Sequence, residues 1–395
     1  MNDRLIRYGE DRALEHVAFA LGRTPTRIMR LLLPVYRVEI EATVTEGRPY
    51  ALIDRFLEHG IAEGRRRSVA ELADFFFLDP NLVDRAIRFL TAIGHVREAG
   101  GVLSLTELGY QSVRDDKRYE RVERDRRVLY FGGFGSRPLS RRYYGSGRVT
   151  FLSPADHHDR FTLVSSFGSF EPKALTDLAR DPNRDHYNLP GRVDDLRVLH
   201  AEQVFLPAYI VRTLEPERDR YIAYTQLGEE DDAEITALYA GTPEVASLLE
   251  LEENASEGGL DLSYARKWLA KRGLGEFEPK RRADGTWQVV LPARAFGRAG
   301  GENGLSAFKV GSFIVLGSDL IHVWCPDEKL QTDVLLKRMD AFLAQRSRVD
   351  ANDVGILLCR LTRQLELGSI DLPALRHMAA NAGLHGLAAQ LSEVS

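Results

Sequence analysis

Start and stop signals for three short helices follow one another between residues 49 and 109. Apolar residues recur at helical spacing over 50–57, and Gly60 stands where a glycine would end that first helix. After a basic linker, Ser68 and Glu71 form a capping box, in which the two side chains accept hydrogen bonds from free backbone amides. The sequence therefore predicts a second, short helix behind the linker.

The third helix has the clearest pattern. Asp79 is a favourable N-cap, Pro80 suits the first helical position, and Gly94 closes the segment. Apolar residues between these signals repeat at intervals of three and four: Leu82, Val83, Ala86, Ile87, Leu90 and Ile93. Residues 95–98 and 102–106 then flank a Gly-Gly turn, which predicts a β-hairpin.

Three helices followed by a hairpin resemble the winged-helix family of helix-turn-helix DNA-binding domains. The run Leu103-Ser-Leu-Thr-Glu-Leu-Gly109 is similar to a second wing strand that leads into the Leu-Thr-x-x-Gly start of the next helix in bacterial regulators of this family. The resemblance covers about sixty of the 395 residues, and the remainder resembles no family that we identify. It implies that the third helix enters the major groove and that the hairpin contacts phosphate or the minor groove.

The resemblance also implies which side chains meet duplex DNA. Those facing outward on the third helix, on the hairpin and in the basic linker are Asn81, Arg85, Arg88, Arg97, Arg65, Arg66 and Arg67. Asp84 departs from this pattern, because a carboxylate that faces phosphate weakens binding unless Arg88, one turn on, pairs with it. Winged helices also serve as protein-docking modules, and this hairpin is poor in basic residues. Protein docking is therefore the alternative.

A basic segment rich in aromatic residues follows the hairpin. Residues 111–148 contain 11 Lys/Arg and 5 Asp/Glu, interleaved with tyrosine and phenylalanine, as on surfaces that follow a nucleic-acid backbone. The DNA-binding candidates here are Arg126, Arg127, Arg141 and Arg142. The alternative is structural, with a solvated helix of alternating charge followed by a strand over 128–131.

The charge is unevenly distributed. Residues 1–148 contain 26 Lys/Arg and 21 Asp/Glu, whereas the rest of the chain contains 27 and 37. A basic amino-terminal part is consistent with a polyanionic partner. At 44% hydrophobic and 28% charged residues the chain has the composition of a folded protein. The two cysteines, Cys325 and Cys359, lie in apolar contexts that predict core positions and suit a reducing cytoplasm, and no apolar run is long enough to span a membrane.

The length predicts several domains in an α+β multidomain chain. We expect an N-terminal helical arm (1–48), a winged helix (49–112), the basic aromatic bridge (113–148), a mostly antiparallel α+β domain (149–325) and a C-terminal helical segment (326–395). The last of these carries amphipathic stripes that either close a domain or pair with a protein partner or a second copy of the chain.

Catalytic signals are weak. Asp156-His-His-Asp159 is the densest group of candidate metal ligands but lacks partners at a defining spacing, and no lysine follows the carboxylates Asp194, Asp195 and Glu202 as in a nuclease site. We expect no cofactor, no metal and no catalytic residue. The prediction is a bacterial cytoplasmic DNA-binding protein, a transcription regulator with a ligand- or partner-binding carboxyl-terminal part. The alternatives are a non-catalytic subunit of a phage-defence or chromosome-handling complex and, behind it, a nuclease.

Overall fold

The computed structural model describes residues 5–6, 8–145, 147–156, 158–164, 168–215, 220–228, 230–240, 242, 247, 261–297, 304–346 and 348–393. The fold is α+β, as predicted, with a large mixed sheet and helices that do not alternate regularly with its strands. In this part of the chain no helix is both long and apolar enough to cross a membrane.

The described helices and strands have the following bounds. The helices are α1 (Glu10–Glu15), α2 (Leu52–Ala62), α3 (Val69–Phe76), α4 (Pro80–Ala92), α5 (Glu107–Asp115), α6 (Pro172–Arg180), α7 (Ala233–Ala240), α8 (Leu262–Ala270), α9 (Glu328–Ala344), α10 (Ala351–Gln364), α11 (Leu372–Asn381) and α12 (His385–Glu393). The strands are β1 (Pro25–Arg48), β2 (Val96–Ala99), β3 (Val102–Leu105), β4 (Arg118–Gly132), β5 (Thr162–Leu163), β6 (Arg192–Thr213), β7 (Tyr221–Tyr224), β8 (Lys280–Arg281), β9 (Trp287–Val290), β10 (Phe296–Gly297), β11 (Leu305–Ser306), β12 (Phe313–Leu316) and β13 (Asp319–Trp324).

The chain divides into two compact units. The larger unit comprises residues 1–33, 149–165 and 205–395, and the smaller unit comprises 34–148 and 166–204. The long strands β1 and β6 contribute residues to both. These limits differ from the five consecutive segments predicted above, because each unit is built from stretches that are distant in sequence.

In the larger unit, neighbouring strands hydrogen-bond in the order β7-β6-β1-β13-β9-β8. The pairs β6–β7, β1–β13, β12–β13 and β8–β9 are antiparallel, whereas β9–β13 and β1–β5 are parallel. The apolar stripes of the C-terminal helices pack in one core with this sheet: Leu335 and Met339 of α9 and Leu358 and Leu361 of α10 lie with Val289 and Val323. The stripes are therefore buried within the unit. A partner at these helices stays a prediction.

In the smaller unit, β1 and β4 form a long antiparallel ladder in which Val35 is opposite Gly132 and Arg48 is opposite Arg118. The inner face of this ladder packs against α6 through Leu175 and Leu178. The helices α2, α3 and α4 and the hairpin β2–β3 enclose a separate core: Leu57, Ile61, Leu72, Ala73, Val83, Ala86, Ile87, Leu90, Val96, Leu103 and Leu105. The order of three helices and a hairpin agrees with the elements predicted for residues 49–109.

Two segments, one predicted to be helical and one for which a helix was the alternative, are largely extended. Among the residues of the arm that the structure describes, helix is confined to α1 and a π-helical turn at His16–Ala20, and β1 occupies Pro25–Arg48. The alternating charges of 118–127 belong to β4 instead of a solvated helix. Cross-strand pairing accounts for their alternation, since Glu41 of β1 lies opposite Arg126.

Three further expectations were wrong in detail. Gly60 does not end the first helix, because α2 continues to Ala62. Gly60 lets α2 and α3 approach closely, and a Cβ there would lie 2.8 Å from the Phe76 ring. Phe56, one of the apolar residues at helical spacing over 50–57, is 49% exposed and does not lie in the core. Cys359 is exposed, whereas Cys325 is buried as predicted.

Candidate nucleic-acid interface

The helix α4 has one buried and one exposed face. Val83, Ala86, Ile87 and Leu90 fill the core of the helices, so the residues between them point away from it. Asn81, Arg85 and Arg88 are all exposed. Their spacing of four and three residues places them along one side of the helix. The three side chains predicted for this helix therefore share its outward face.

Capping and ion pairing order this face. The Asp79 carboxylate accepts a hydrogen bond of 2.7 Å from the Asn81 amide, which fixes the start of α4. Arg88 Nη2 lies 2.6 Å from Asp84 Oδ2, the pairing that the sequence required of this carboxylate. In the described residues, Arg85 makes no ion pair. Arg85 is thus the cation of this face whose charge is fully available to an anion.

The basic linker lies beside the hairpin. The Ser68 hydroxyl accepts a hydrogen bond from the Glu71 amide at 3.2 Å, so Ser68 caps α3 as predicted, and Glu71 Oε2 reaches back to the Arg67 amide at 2.7 Å, one residue before the N-cap. The Arg67 carbonyl accepts a further bond from the amide of Leu103 on β3 at 2.8 Å. Arg65, Arg66 and Arg67 are exposed. The linker cations and the hairpin are consequently held next to each other.

The hairpin is anchored at its far end by Thr106. Its hydroxyl donates to the Gly94 carbonyl at 2.6 Å and accepts from the Gly109 amide at 3.2 Å, so it joins the end of α4 to the start of α5. A Cβ on Gly109 would lie 2.4 Å from the His95 carbonyl oxygen. This close approach requires glycine at position 109, and the hydrogen bond from the Gly109 amide requires the hydroxyl three residues before it. Arg97 is exposed on β2 of the hairpin.

A buried ion pair supports these elements from inside. His95 and Glu58 are both fully buried, and His95 Nδ1 lies 2.5 Å from Glu58 Oε1. His95 Nε2 bonds the carbonyl of Tyr119, and the Tyr50 hydroxyl donates to the other oxygen of Glu58. Burial alone would lower the pKa of His95, but the hydrogen bonds to Glu58 and Tyr119 outweigh it and raise this pKa. Both ring nitrogens of His95 therefore face oxygen atoms, an arrangement that favours the protonated imidazole.

Sequence reasoning missed this pair. His95 falls in the first strand of the predicted hairpin, and no role was predicted for Glu58. A signal was present in α2: Asp54 and Glu58 are one turn apart on the side of the helix that also carries Leu57 and Ile61. Acidic residues on a core-facing side need buried cationic partners. The partner of Asp54 is Arg118, at 3.4 Å.

The candidates in the basic bridge fall into two classes. Arg141 and Arg142 are exposed in a 3-10 turn, Arg141–Tyr144. Arg126 is bound to Glu41 at 3.3 Å, and Arg127 forms ion pairs with Glu46 and Asp125. Both would have to give up these carboxylates before they could bind phosphate. Within the bridge, Arg141 and Arg142 are therefore better suited to meet an external anion.

Exposed aromatic rings lie on the same module. Phe77 is 95% exposed and adopts a left-handed conformation (φ 52°) at the end of α3, where glycine is usual. Phe75 and Phe56 are about half exposed, and both contact the ring of Phe76. We call Phe56, Phe75 and Phe77 the aromatic patch. The Arg66 guanidinium lies over Phe75 at 4.8 Å, so this patch adjoins the basic linker.

The described residues contain no cluster of three or more His, Cys, Asp or Glu side chains that could hold a metal ion. Asp156 accepts hydrogen bonds from the amide and hydroxyl of Ser153 within a local turn, and His157 lies outside the described residues. Glu202 is bound to Arg37 at 2.6 Å. No protein-family model matches the chain, and no curated protein or solved structure matches it significantly.

Proposed function

We propose that the smaller unit binds duplex DNA through a winged helix built from α2, α3, α4 and the hairpin. The main support for this proposal is the exposed face of α4, along which Asn81, Arg85 and Arg88 lie on one side of the helix. Arginine and asparagine are the side chains that read guanine and adenine edges in the major groove. In this proposal α4 lies in that groove and supplies the base contacts.

The linker and hairpin supply the phosphate contacts. Arg65, Arg66 and Arg67 lie beside the hairpin that carries Arg97, because the Arg67 backbone is hydrogen-bonded to β3. Such cations contribute affinity without sequence information and make binding dependent on salt. The Arg88–Asp84 pair removes part of the charge of α4, so most of the electrostatic attraction falls to the linker. The function would be that of a bacterial regulator that binds and releases DNA.

Fluorescence anisotropy with a random-sequence duplex across a salt series tests this proposal. Replacing Arg65, Arg66 and Arg67 by glutamine removes three phosphate contacts, so we expect the slope of log K against log salt to become shallower by about 3. In Arg85→Gln/Arg88→Gln, affinity for a selected sequence should fall roughly tenfold or more. The matched control, Arg346→Gln/Arg376→Gln, removes two exposed charges from the larger unit and should leave binding unchanged. Wild-type binding that is absent, or independent of salt, contradicts DNA binding.

A second candidate function is protein docking in a multi-protein complex, and the aromatic patch favours it. A phenylalanine that is almost fully exposed in a left-handed turn costs stability and buries no apolar surface. A variant of the aromatic patch separates the two functions. Phe77→Ser should leave DNA affinity intact if Arg85 carries recognition, and should release a stoichiometric protein partner if the winged helix docks one.

A further inference from the structure

A cavity of about 480 Å³ opens in the larger unit, remote in sequence from the helices of the proposed DNA-binding module. Its volume lies within the range of small-molecule sites. Its walls come from the chain before and within α1, from Arg30 of β1, from residues 158, 160 and 161, from Tyr209 of β6, from the end of α8 and the residues that follow it, and from β11 to β12. The proposed DNA binding makes no use of this cavity.

The charge on its walls favours an anion. Four cationic side chains line it (Arg30, Arg160, Arg272 and Lys309) against two carboxylates. Both carboxylates are already compensated: Glu10 is bound to the guanidinium of Arg30, with one contact of 2.7 Å, and Asp11 is bound to Lys309 at 2.5 Å.

Arg160 and Arg272 remain as the uncompensated charges of the wall. In the described part of the chain neither forms an ion pair. Arg272 Nη1 donates to the Trp268 carbonyl at 3.1 Å, which leaves other N–H groups of the guanidinium free to bind an anion. Two such cations at one cavity suit a phosphate group.

The same walls present flat π surfaces. The Arg272 guanidinium is stacked on the Trp268 ring at 3.6 Å, which holds it as a planar group at the cavity wall. Phe161 is stacked on Tyr209, with ring centroids 6.1 Å apart and planes 16° apart. Planar guanidinium and aromatic faces are the surfaces on which nucleobases stack.

We propose that this cavity binds a nucleotide, with its base against the aromatic wall and its phosphate at Arg160 and Arg272. The ion pairs of Glu10 and Asp11 hold α1 and Lys309 at the rim and keep both carboxylates away from the phosphate. The site lies wholly within the larger unit. The proposal therefore does not rest on DNA binding by the smaller unit.

Isothermal titration of the full chain with ATP, AMP, adenosine and inorganic pyrophosphate tests the proposal. ATP or AMP should bind with a Kd below about 1 mM. Adenosine lacks the phosphate and pyrophosphate lacks the ring, so each should bind at least about tenfold more weakly. The proposal is overturned if neither nucleotide binds, or if pyrophosphate binds as tightly as ATP.

Variants locate the site. Arg160→Gln and Arg272→Gln should each weaken ATP binding about tenfold or more, since each removes a charge-assisted hydrogen bond. The matched control is Arg346→Gln, because Arg346 also lies over an aromatic ring, that of Phe342 at 4.3 Å, outside the cavity. Circular dichroism of each variant without ligand shows that it is folded. If Arg160→Gln and Arg272→Gln are folded and bind ATP as tightly as the wild type, the assignment is overturned.

Discussion

At the scale of single residues, Gly109 is a position with no room for a side chain. A methyl group there would meet the backbone oxygen of His95, and that oxygen cannot move without shifting the end of α4. We expect Gly109→Ala to destabilise the smaller unit by about 1–3 kcal/mol, as overpacking does elsewhere. Faster hydrogen exchange in peptides over 95–110 would report it.

Gly191→Ala is the matched control for this change. It lies in the same unit, and nothing stands within 4 Å of the added methyl group. Unchanged exchange in Gly109→Ala would show that the close approach to His95 carries no constraint. The sequence did place Thr106 and Gly109 in a recurring motif. It could not show that residue 109 must lack a side chain because the His95 carbonyl oxygen lies against it.

At the scale of elements, the pair Glu58–His95 joins α2 to the start of the hairpin. Removing one partner leaves a buried charge without compensation, so His95→Gln and Glu58→Gln should each destabilise the smaller unit by about 3–5 kcal/mol. The double variant should lose clearly less than the sum of the two, because the partners act on each other. Urea unfolding followed by circular dichroism measures all three, and additive losses would contradict direct coupling.

The helices of residues 49–109 were predictable because their signals are local: a capping box, an Asp-Pro start and a stripe at intervals of three and four. The strand β1 was not, since it is buried along most of its length and so lacks the alternation that identifies a half-exposed strand. Pro34 in its middle also argues against a strand. In the structure the Pro34 carbonyl accepts a bond from the Gly133 amide at 2.8 Å, a long-range contact that no local pattern reveals.

The outward residues of the candidate interface were predictable from helical periodicity alone, as Arg85 and Arg88 show. The ion pairs of Arg126 with Glu41 and of Arg127 with Glu46 were not, because both glutamates lie on β1, about eighty residues earlier in the chain. The cavity of the larger unit was equally hidden. Arg30, Arg160 and Arg272 meet there from three distant segments, and each looks in the sequence like an ordinary surface arginine.

At the scale of the whole molecule, two buried histidines set opposite pH limits. Burial lowers the pKa of His322 in the larger unit to about 4. In the unfolded chain the His322 imidazole becomes protonated near pH 6.5. Above that pH the imidazole is neutral in both states, and the folded unit keeps its full stability. As the pH falls from 6.5 towards 4, the unfolded chain binds a proton that the folded unit does not, and the free energy of unfolding decreases by about 3 kcal/mol in total. The pKa of His95 in the smaller unit is raised, so its contribution is complete below about pH 6.5 and is lost as the pH rises through the folded value.

The larger unit should therefore weaken first in acid and the smaller unit first in alkali. Trp268, Trp287 and Trp324, the three tryptophans of the chain, all lie in the larger unit, so tryptophan fluorescence follows that unit alone while circular dichroism follows both. The urea midpoint read by fluorescence should fall between pH 6.5 and pH 4, and His322→Phe should flatten this fall because the titrating group is gone. A midpoint that is insensitive to acid in the wild type would mean that His322 is protonated without cost and that its burial does not control the stability of the unit.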